Sequence, residues 1–190
     1  MKVARALSES SRGRREVRKV RLFMVKGGDY LKERRLVLKE LVNSMNVYGV
    51  YVTLSTPYAT LYSDLKKDGV DVSRLFFIDC ITKYSGSNPK PLNNCSFTDN
   101  QTLAEMSISI ADLMNNGSYN FVFFDSMTTL LLYNSVDSAE KFLHYLINKL
   151  RDLGVGMCII AVDDEKSREA ANVISQFCDE FVDMTRGRMK

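Results

Sequence analysis

The sequence predicts a three-layer α/β domain with a mostly parallel sheet between two layers of helices. Its 190 residues are enough for one domain of ordinary size. Hydrophobic residues make up 45% and charged residues 26% of the chain, as in soluble globular proteins. Short apolar runs alternate with segments of helical spacing, which is typical of strands connected by crossover helices.

Six apolar runs are predicted to be strands. They are rich in β-branched or aromatic residues, and several are apolar throughout, as expected for strands buried on both faces. In chain order they cover residues 20–25, 47–54, 75–80, 121–125, 155–162 and 180–185.

Five segments between these runs have the apolar spacing of helices and cover residues 31–45, 55–68, 101–115, 138–152 and 166–177. Pro57 suits the first turn of the second helix. The polar segment 83–100 contains Pro89 and Pro91 and is predicted to be a long loop. A loop of that length in a compact domain is usually functional or disordered.

The positive charge of the chain is concentrated at its N terminus. The formal net charge is +3, but residues 1–21 carry +6 and the rest carries −3. We predict a flexible basic arm over 1–16 and a single domain over 17–190. The arm carries cations that suit nucleic-acid phosphates, but no aromatic residue lies among them for base stacking. The candidate nucleic-acid contacts are Arg12, Arg14, Arg15, Arg18, Lys19 and Arg21. An arm without this role, or one that docks a neighbouring subunit, is the alternative.

The cysteines and the single histidine show no zinc-site spacing, because the four cysteines are far apart and form no C-x-x-C pair. The basic N terminus is not followed by the apolar stretch of a signal peptide. No apolar run reaches the length of a membrane span. We therefore expect a cytoplasmic protein with free thiols, no metal site and no contact with a membrane.

The residues that follow the predicted strands are the candidate functional residues, because ligands bind at the carboxyl edge of an open α/β sheet. Carboxylates at this edge, among them Asp79, Asp125 and Asp163, can hold magnesium and phosphate. They can equally cap the helices that begin there, and the sequence leaves both readings open. The candidate nucleotide or anion contacts are Gly27, Gly28, Arg34, Arg35, Ser55, Thr56, Asp125 and Ser126.

Four stretches resemble the KaiC-like ATPases of the RecA superfamily, archaeal proteins related to the RadA paralogues. They are residues 49–80, 121–135, 141–162 and 178–184, and the resemblance extends over roughly residues 20–185. It implies a RecA-like P-loop NTPase fold, with FVFFDS at 121–126 as the Walker B strand. It also implies that this strand lies beside the P-loop strand, here residues 20–25.

Two elements that ATP hydrolysis requires in that family have no counterpart. A P-loop reads G-x-x-x-x-G-K-[ST]. Aligned on Gly27 or on Gly28, its last three positions fall on 32–34 or 33–35, which supply neither the second glycine nor the magnesium-binding hydroxyl. The glutamates that follow the second strand in the family are replaced by Ser55 and Thr56, whose hydroxyls cannot act as the base.

The sequence therefore predicts a degenerate relative, a pseudo-ATPase without catalytic residues or a cofactor. The first functional hypothesis is a regulatory or protein-interaction module that binds a partner or a second copy. Its former nucleotide face and the segment 83–100 would form the working surface. A nucleotide sensor that binds ATP with magnesium without turnover is the second hypothesis. A nucleic-acid accessory protein that uses the basic arm is the third.

Overall fold

A single sheet of seven parallel strands forms the centre of the computed structural model, which describes residues 16–83, 86–98 and 102–185. The strands are β1 (Val20–Val25), β2 (Gly49–Thr53), β3 (Leu75–Asp79), β4 (Cys95–Phe97), β5 (Phe121–Asp125), β6 (Gly156–Val162) and β7 (Glu180–Asp183). Their order across the sheet is β4-β3-β2-β5-β6-β1-β7, and every neighbouring pair is parallel.

Helices cover both faces of this sheet. Within the described ranges they are α1 (Tyr30–Leu38), α2 (Tyr58–Lys67), α3 (Leu103–Asn116), α4 (Met127–Tyr133), α5 (Val136–Asp152) and α6 (Glu165–Ile174). Helix α1 continues as a π-helical segment, Lys39–Ser44. Short 3₁₀ turns cover Gly27–Asp29, Val72–Arg74 and Ser175–Phe177.

Alternate residues of each strand contribute to two separate cores, because successive side chains point to opposite faces of a sheet. In β5, Phe121 and Phe123 pack with α1 and α2, whereas Val122 and Phe124 pack with the other four helices. The three-layer α/β fold predicted from the sequence is therefore confirmed.

Two elements differ from the sequence prediction. Residues 83–100 were expected to be one irregular loop, but their described part contains β4, which pairs with β3 at the edge of the sheet. Three residues are too few to show a strand pattern. Helix α4 was not predicted, because its apolar sequence MTTLLLY follows β5 directly and has no clear helical period.

The position of β1 in the sheet corrects one expectation. The resemblance placed the strand that ends in Asp125 beside β1, but β6 lies between them and pairs with both. The ends of β1 and β5 are therefore about 9–10 Å apart, two strand spacings. A ligand at the carboxyl edge would have to span β6 to contact both.

The cysteine side chains belong to the packed interior. Cys80, Cys95 and Cys158 are buried, and burial raises the pKa of the Cys158 thiol to about 12. They pack as small apolar side chains, as a free cysteine in an apolar strand commonly does. No helix in the described part of the chain is long and apolar enough to cross a membrane.

Candidate functional site

The carboxyl edge of the sheet carries a buried polar cluster around Asp125, the last residue of β5. The side chain of Asp125 is 1% exposed, and its Oδ2 accepts a hydrogen bond from the hydroxyl of Tyr51. The guanidinium of Arg34 lies 3.6 Å from the same oxygen, measured from its Nη1. The Tyr51 and Arg34 side chains thus cover the carboxylate, one from β2 and the other from α1.

Local sequence explains why these three side chains meet. Asp125 follows Phe121 and Phe123 with period two, so it points to the face that α1 and α2 cover. Tyr51 lies in β2 on that face, where its ring stacks on Phe123 with centroids 5.1 Å apart. Arg34 lies on the buried side of α1, and its guanidinium is 5.8 Å from the Tyr30 ring centroid. Helical side chains tilt toward the N terminus of their helix, which brings the Arg34 guanidinium over the preceding turn, where Tyr30 lies.

The cluster is not fully hydrogen-bonded, since Arg34 Nε and Asp125 Oδ1 have no partner among the described residues. Burial raises the pKa of Asp125 to about 8 because it penalises the charged form. Burial also raises the pKa of Tyr51, against the opposing effect of Arg34, so the hydroxyl keeps its proton. The arrangement suits a shielded internal contact between α1, β2 and β5.

The predicted glycine pair lies at the end of β1 in a different setting. The connection from Val25 to Tyr30 contains a single 3₁₀ turn, Gly27–Asp29, and its residues are exposed. A Cβ added at Gly28 would meet nothing within 4 Å, so no close contact requires glycine there. Among the described residues, no side chain caps this turn or the start of α1, so its first backbone N–H groups have no side-chain acceptor there.

The other predicted anion contacts have structural partners. Arg35 lies 3.4 Å from Asp68 at the end of α2. Ser126 is buried and caps α4 by accepting a hydrogen bond from Thr129 N. Thr56 belongs to a turn that the Thr53 side chain closes. The Thr53 hydroxyl accepts a hydrogen bond from the Thr56 N–H and donates one to the Thr56 carbonyl. Ser55 is exposed at the same turn. Among these candidates the structure brings together Arg34 and Asp125, which are far apart in sequence. The hydroxyls of the adjacent residues Ser55 and Thr56 also lie 3.5 Å apart.

The remaining carboxylates at this edge mostly order local backbone. Asp79 accepts hydrogen bonds from the N–H groups of Tyr58, Ile81 and Thr82, so it fixes the start of α2 and its own loop. Asp164 caps α6 through Ser167 N. Within residues 16–83, 86–98 and 102–185, no group of His, Cys, Asp or Glu side chains is arranged to hold a metal ion.

The structure separates the predicted nucleic-acid contacts. Arg21 is fully buried in β1 and bonds to Glu16 and Glu180, so in this structure its guanidinium is directed to these carboxylates rather than to solvent. Lys19 pairs with the same two glutamates, at 2.9 and 2.6 Å. Arg18 is exposed. Arg12, Arg14 and Arg15 lie outside the described residues. Glu16, the last residue of the predicted arm, is buried against the domain.

Sequence reasoning missed the part played by Tyr51. This tyrosine was not among the candidate residues, but its hydroxyl donates a hydrogen bond to Asp125. One signal was available, because a tyrosine in the middle of a fully buried strand needs a partner for its hydroxyl. Asp125, at the end of the next strand in the sheet, was a possible acceptor.

The Asp125→Asn variant should change the pH dependence of stability. The pKa of Asp125 is about 8 in the folded protein against an ordinary value of 3.8. The folded protein therefore holds a proton that the unfolded chain releases, and this contribution to stability declines as pH rises from about 4 to 8. Asparagine has no such proton. Relative to the parent, the variant should gain about 1 kcal/mol per pH unit between pH 5 and 7.

Urea unfolding of the two proteins at pH 5, 6 and 7 measures this difference. Asp137→Asn is the matched control, because Asp137 is 72% exposed on α5 and should leave the pH profile nearly unchanged. Parallel profiles for the parent and Asp125→Asn would contradict the raised pKa.

Comparison with known proteins agrees with the class that the fold defines, an α/β domain of the RecA-like type. A KaiC-like protein from the hyperthermophilic archaeon Pyrococcus horikoshii superposes with a TM-score of 0.64 at 14% sequence identity. The superposition covers 91% of this chain and 74% of that protein. The chain belongs to DUF7504, a family of unknown function whose model matches residues 27–184. No curated protein matches the sequence.

Proposed function

We propose that this RecA-like domain does not hydrolyse ATP and acts as a regulatory protein-interaction module. The observation that carries the first half is the closure of Arg34 and Tyr51 over Asp125. In the RecA-like ATPases that the sequence resembles, the acidic residue at this position serves magnesium. Here the guanidinium stands 3.6 Å from the carboxylate, and a divalent cation would have to displace it.

The turn after β1 supports the same conclusion. A P-loop surrounds phosphate with backbone N–H groups over a long glycine-rich loop and adds a lysine and a hydroxyl. The connection here is the short stretch from Lys26 to Asp29, and residues 32–35 read Lys-Glu-Arg-Arg. Phosphoryl transfer depends on positioning the phosphates, the metal and the water together. The sequence offers no P-loop to position the phosphates and no glutamate after β2 to orient the water, so two of these three requirements have no equivalent.

Apolar surface beside the carboxyl edge supports the second half of the proposal. Leu132 of α4 is 72% exposed and Tyr133 is 40% exposed. They adjoin a depression of about 300 Å³ that Thr128, Leu131 and Leu132 line together with residues 164–166. Exposed apolar side chains beside a concave apolar site are typical of protein-binding surfaces. A protein partner, a second copy included, is the ligand that this surface suits.

Calorimetric titration with ATP, ADP and a non-hydrolysable analogue, with and without magnesium, tests the first half. We expect no saturable binding and no phosphate release. The Gly27–Gly28 turn favours the alternative of a nucleotide sensor, because N–H groups without a side-chain cap can donate hydrogen bonds to an anion. Binding tighter than about 100 μM, roughly −5.5 kcal/mol, that weakens in Asp125→Ala would overturn the first half and establish that sensor.

Light scattering over a range of protein concentrations tests self-association through α4. We expect Leu132→Ser to weaken any dimer. Leu31→Ser is the matched control, because Leu31 is 62% exposed but lies on α1, across the sheet from α4. A monomer at every concentration would contradict self-association and restrict the proposal to a different protein partner.

A further inference from the structure

The face of the domain that α4 and α6 form combines an apolar depression with acidic side chains. The depression has a volume of about 300 Å³ and lies between Leu131 and Leu132 of α4 and residues 164–166 at the start of α6. This volume is at the small end of the range for ligand pockets. It therefore suits one or two anchoring side chains of a protein partner better than a whole cofactor.

Hydrogen bonds hold the two sides of the depression together. The Thr128 hydroxyl accepts a hydrogen bond from the Val162 N–H at 2.7 Å and lies 2.9 Å from the hydroxyl of Ser167 on α6. Leu131 packs into the core below, whereas Leu132 remains exposed at the rim. The depression is thus formed before a partner arrives, which lowers the entropy cost of binding.

A row of carboxylates extends from the depression across α6 to α5, and we call it the acidic row. Glu165 lines the depression, and Glu169 lies one turn further along the same side of α6. Glu140 of α5 is close to Glu169, since burial and the negative charges of Asp137 and Glu169 raise the pKa of Glu140. No ion pair joins Glu140, Glu165 or Glu169 to another described residue. The acidic row comprises these three glutamates and Asp137.

Among the described residues, the cations near the acidic row do not neutralise it. Lys141 pairs with Asp137 at 2.8 Å, but the two side chains are 76% and 72% exposed, so this pair is weak. Arg168 of α6 pairs with Asp163 and Asp183. The face carries five carboxylates and two lysines, which are Asp137, Glu140, Asp164, Glu165, Glu169, Lys141 and Lys166. Its formal net charge is therefore −3.

Building on the proposed protein-interaction function, we propose that this face binds a basic segment of a partner protein, which inserts an apolar side chain into the depression. Lysine or arginine side chains of that segment pair with the acidic row, and the apolar anchor packs against Leu132. A face with a net charge of −3 repels nucleic acid and anionic membranes. A second copy that presents the same face would bring like charges together. The occupant that fits is therefore a basic segment of a different protein.

Fluorescence anisotropy of the full chain with three labelled model peptides tests this assignment. Each peptide has about 12 residues, the length of an average helix. The first carries lysines around one central leucine, the second replaces that leucine with serine, and the third replaces the lysines with glutamates. We expect the first peptide to bind at least about fivefold more tightly than either of the others, because the second lacks the anchor and the third places like charges opposite each other.

Two variants locate the peptide on this face. Leu132→Ser should weaken binding of the first peptide at least about fivefold without changing its salt dependence, because only apolar contact is lost. Glu165→Gln combined with Glu169→Gln should weaken binding about two- to fivefold for each lost ion pair and reduce the salt dependence. Leu31→Ser and Asp64→Asn are the matched controls, because both side chains are exposed on α1 and α2, across the sheet. Thermal unfolding of each variant confirms that it is folded.

The pattern across peptides and variants distinguishes the possible partners. Binding of the lysine–leucine peptide that depends on Leu132 and on both glutamates supports the assignment. Tighter binding of the glutamate peptide, still dependent on Leu132, would overturn the basic partner but leave the protein-interaction function standing. Dimers that depend on Leu132, without binding of any peptide, would overturn it in favour of a second copy. No peptide binding and no dimer, or equal binding by Leu132→Ser and Leu31→Ser, would overturn both the basic partner and the interaction surface.

Discussion

Replacing Arg21 with methionine should lower the free energy of unfolding by about 3–5 kcal/mol. Arg21 is fully buried in β1, and its Nε and Nη2 lie 2.7 and 2.6 Å from carboxylate oxygens of Glu180 and Glu16. Its Nη1 also donates to the Glu16 carbonyl at 2.8 Å. Methionine would fill the space but leave both glutamates with Lys19 as their remaining cationic partner, and an uncompensated buried charge is costly.

The same arginine connects three parts of the chain. Arg21 lies in β1 and bonds to Glu16 in the segment before that strand. It also bonds to Glu180 in the last strand, β7, where Glu180 is its register partner. Burial opposes ionisation of Glu180, but hydrogen bonds from Lys19 and Arg21 hold its pKa below the ordinary value. Loss of Arg21 should therefore loosen the N-terminal segment and β7 together.

Urea unfolding at pH 7 measures the loss, with Arg35→Met as the matched control. Arg35 is 39% exposed and lies 3.4 Å from Asp68, so its removal should cost at most about 1 kcal/mol. Adding Glu16→Gln and Glu180→Gln to Arg21→Met should recover part of the stability, because it removes the unpaired charges. Equal effects of Arg21→Met and Arg35→Met would refute the buried network as a major contribution.

The second large effect is expected for Gly156→Ala, at the start of β6. A Cβ on Gly156 would lie 1.8 Å from the carbonyl oxygen of Val17 and 3.0 Å from the carbonyl carbon of Arg18. Both contacts are with backbone, which cannot rotate away as a side chain can. We expect a loss of about 3 kcal/mol, the upper part of the usual range for overpacking, and displacement of the segment that leads into β1.

Gly28→Ala is the control for this substitution. Nothing lies within 4 Å of a Cβ at Gly28, and its backbone is not in the left-handed region. Alanine there should be neutral or stabilise the fold by up to about 1 kcal/mol, since it restricts the unfolded chain. Thermal and urea unfolding of both variants measure the contrast. A Gly156→Ala protein as stable as the parent would show that Val17 does not pack against β6.

The sequence predicted the sheet well because burial on both faces leaves a local signal. The apolar runs at β1 and β5 have the same bounds in the prediction and in the structure. The elements that it missed, β4 and α4, are short and have no clear period. The position of β6 between β1 and β5 depends on strand pairing, which no single run of sequence encodes.

The candidate site was predictable only in part. Asp125 was proposed because it follows a predicted strand, at the carboxyl edge of the sheet. Arg34 was proposed because it lies at the start of the first crossover helix. Their contact joins side chains that are 91 positions apart in sequence, and Tyr51 completes the cluster from a third element. A candidate ligand contact and an internal partner have the same residue type, so composition and spacing could not distinguish them.

The sequence by itself determined the fold class, the strands of the sheet centre and the concentration of positive charge at the N terminus. Each of these follows from local periodicity or from a count of charges. The tertiary structure alone decided which charged groups remain available. It placed Arg21 and Arg34 in the interior with carboxylates and left Arg18 exposed at the amino edge. Pairing and burial of a charge depend on partners that distant segments supply, and folding alone brings those segments together.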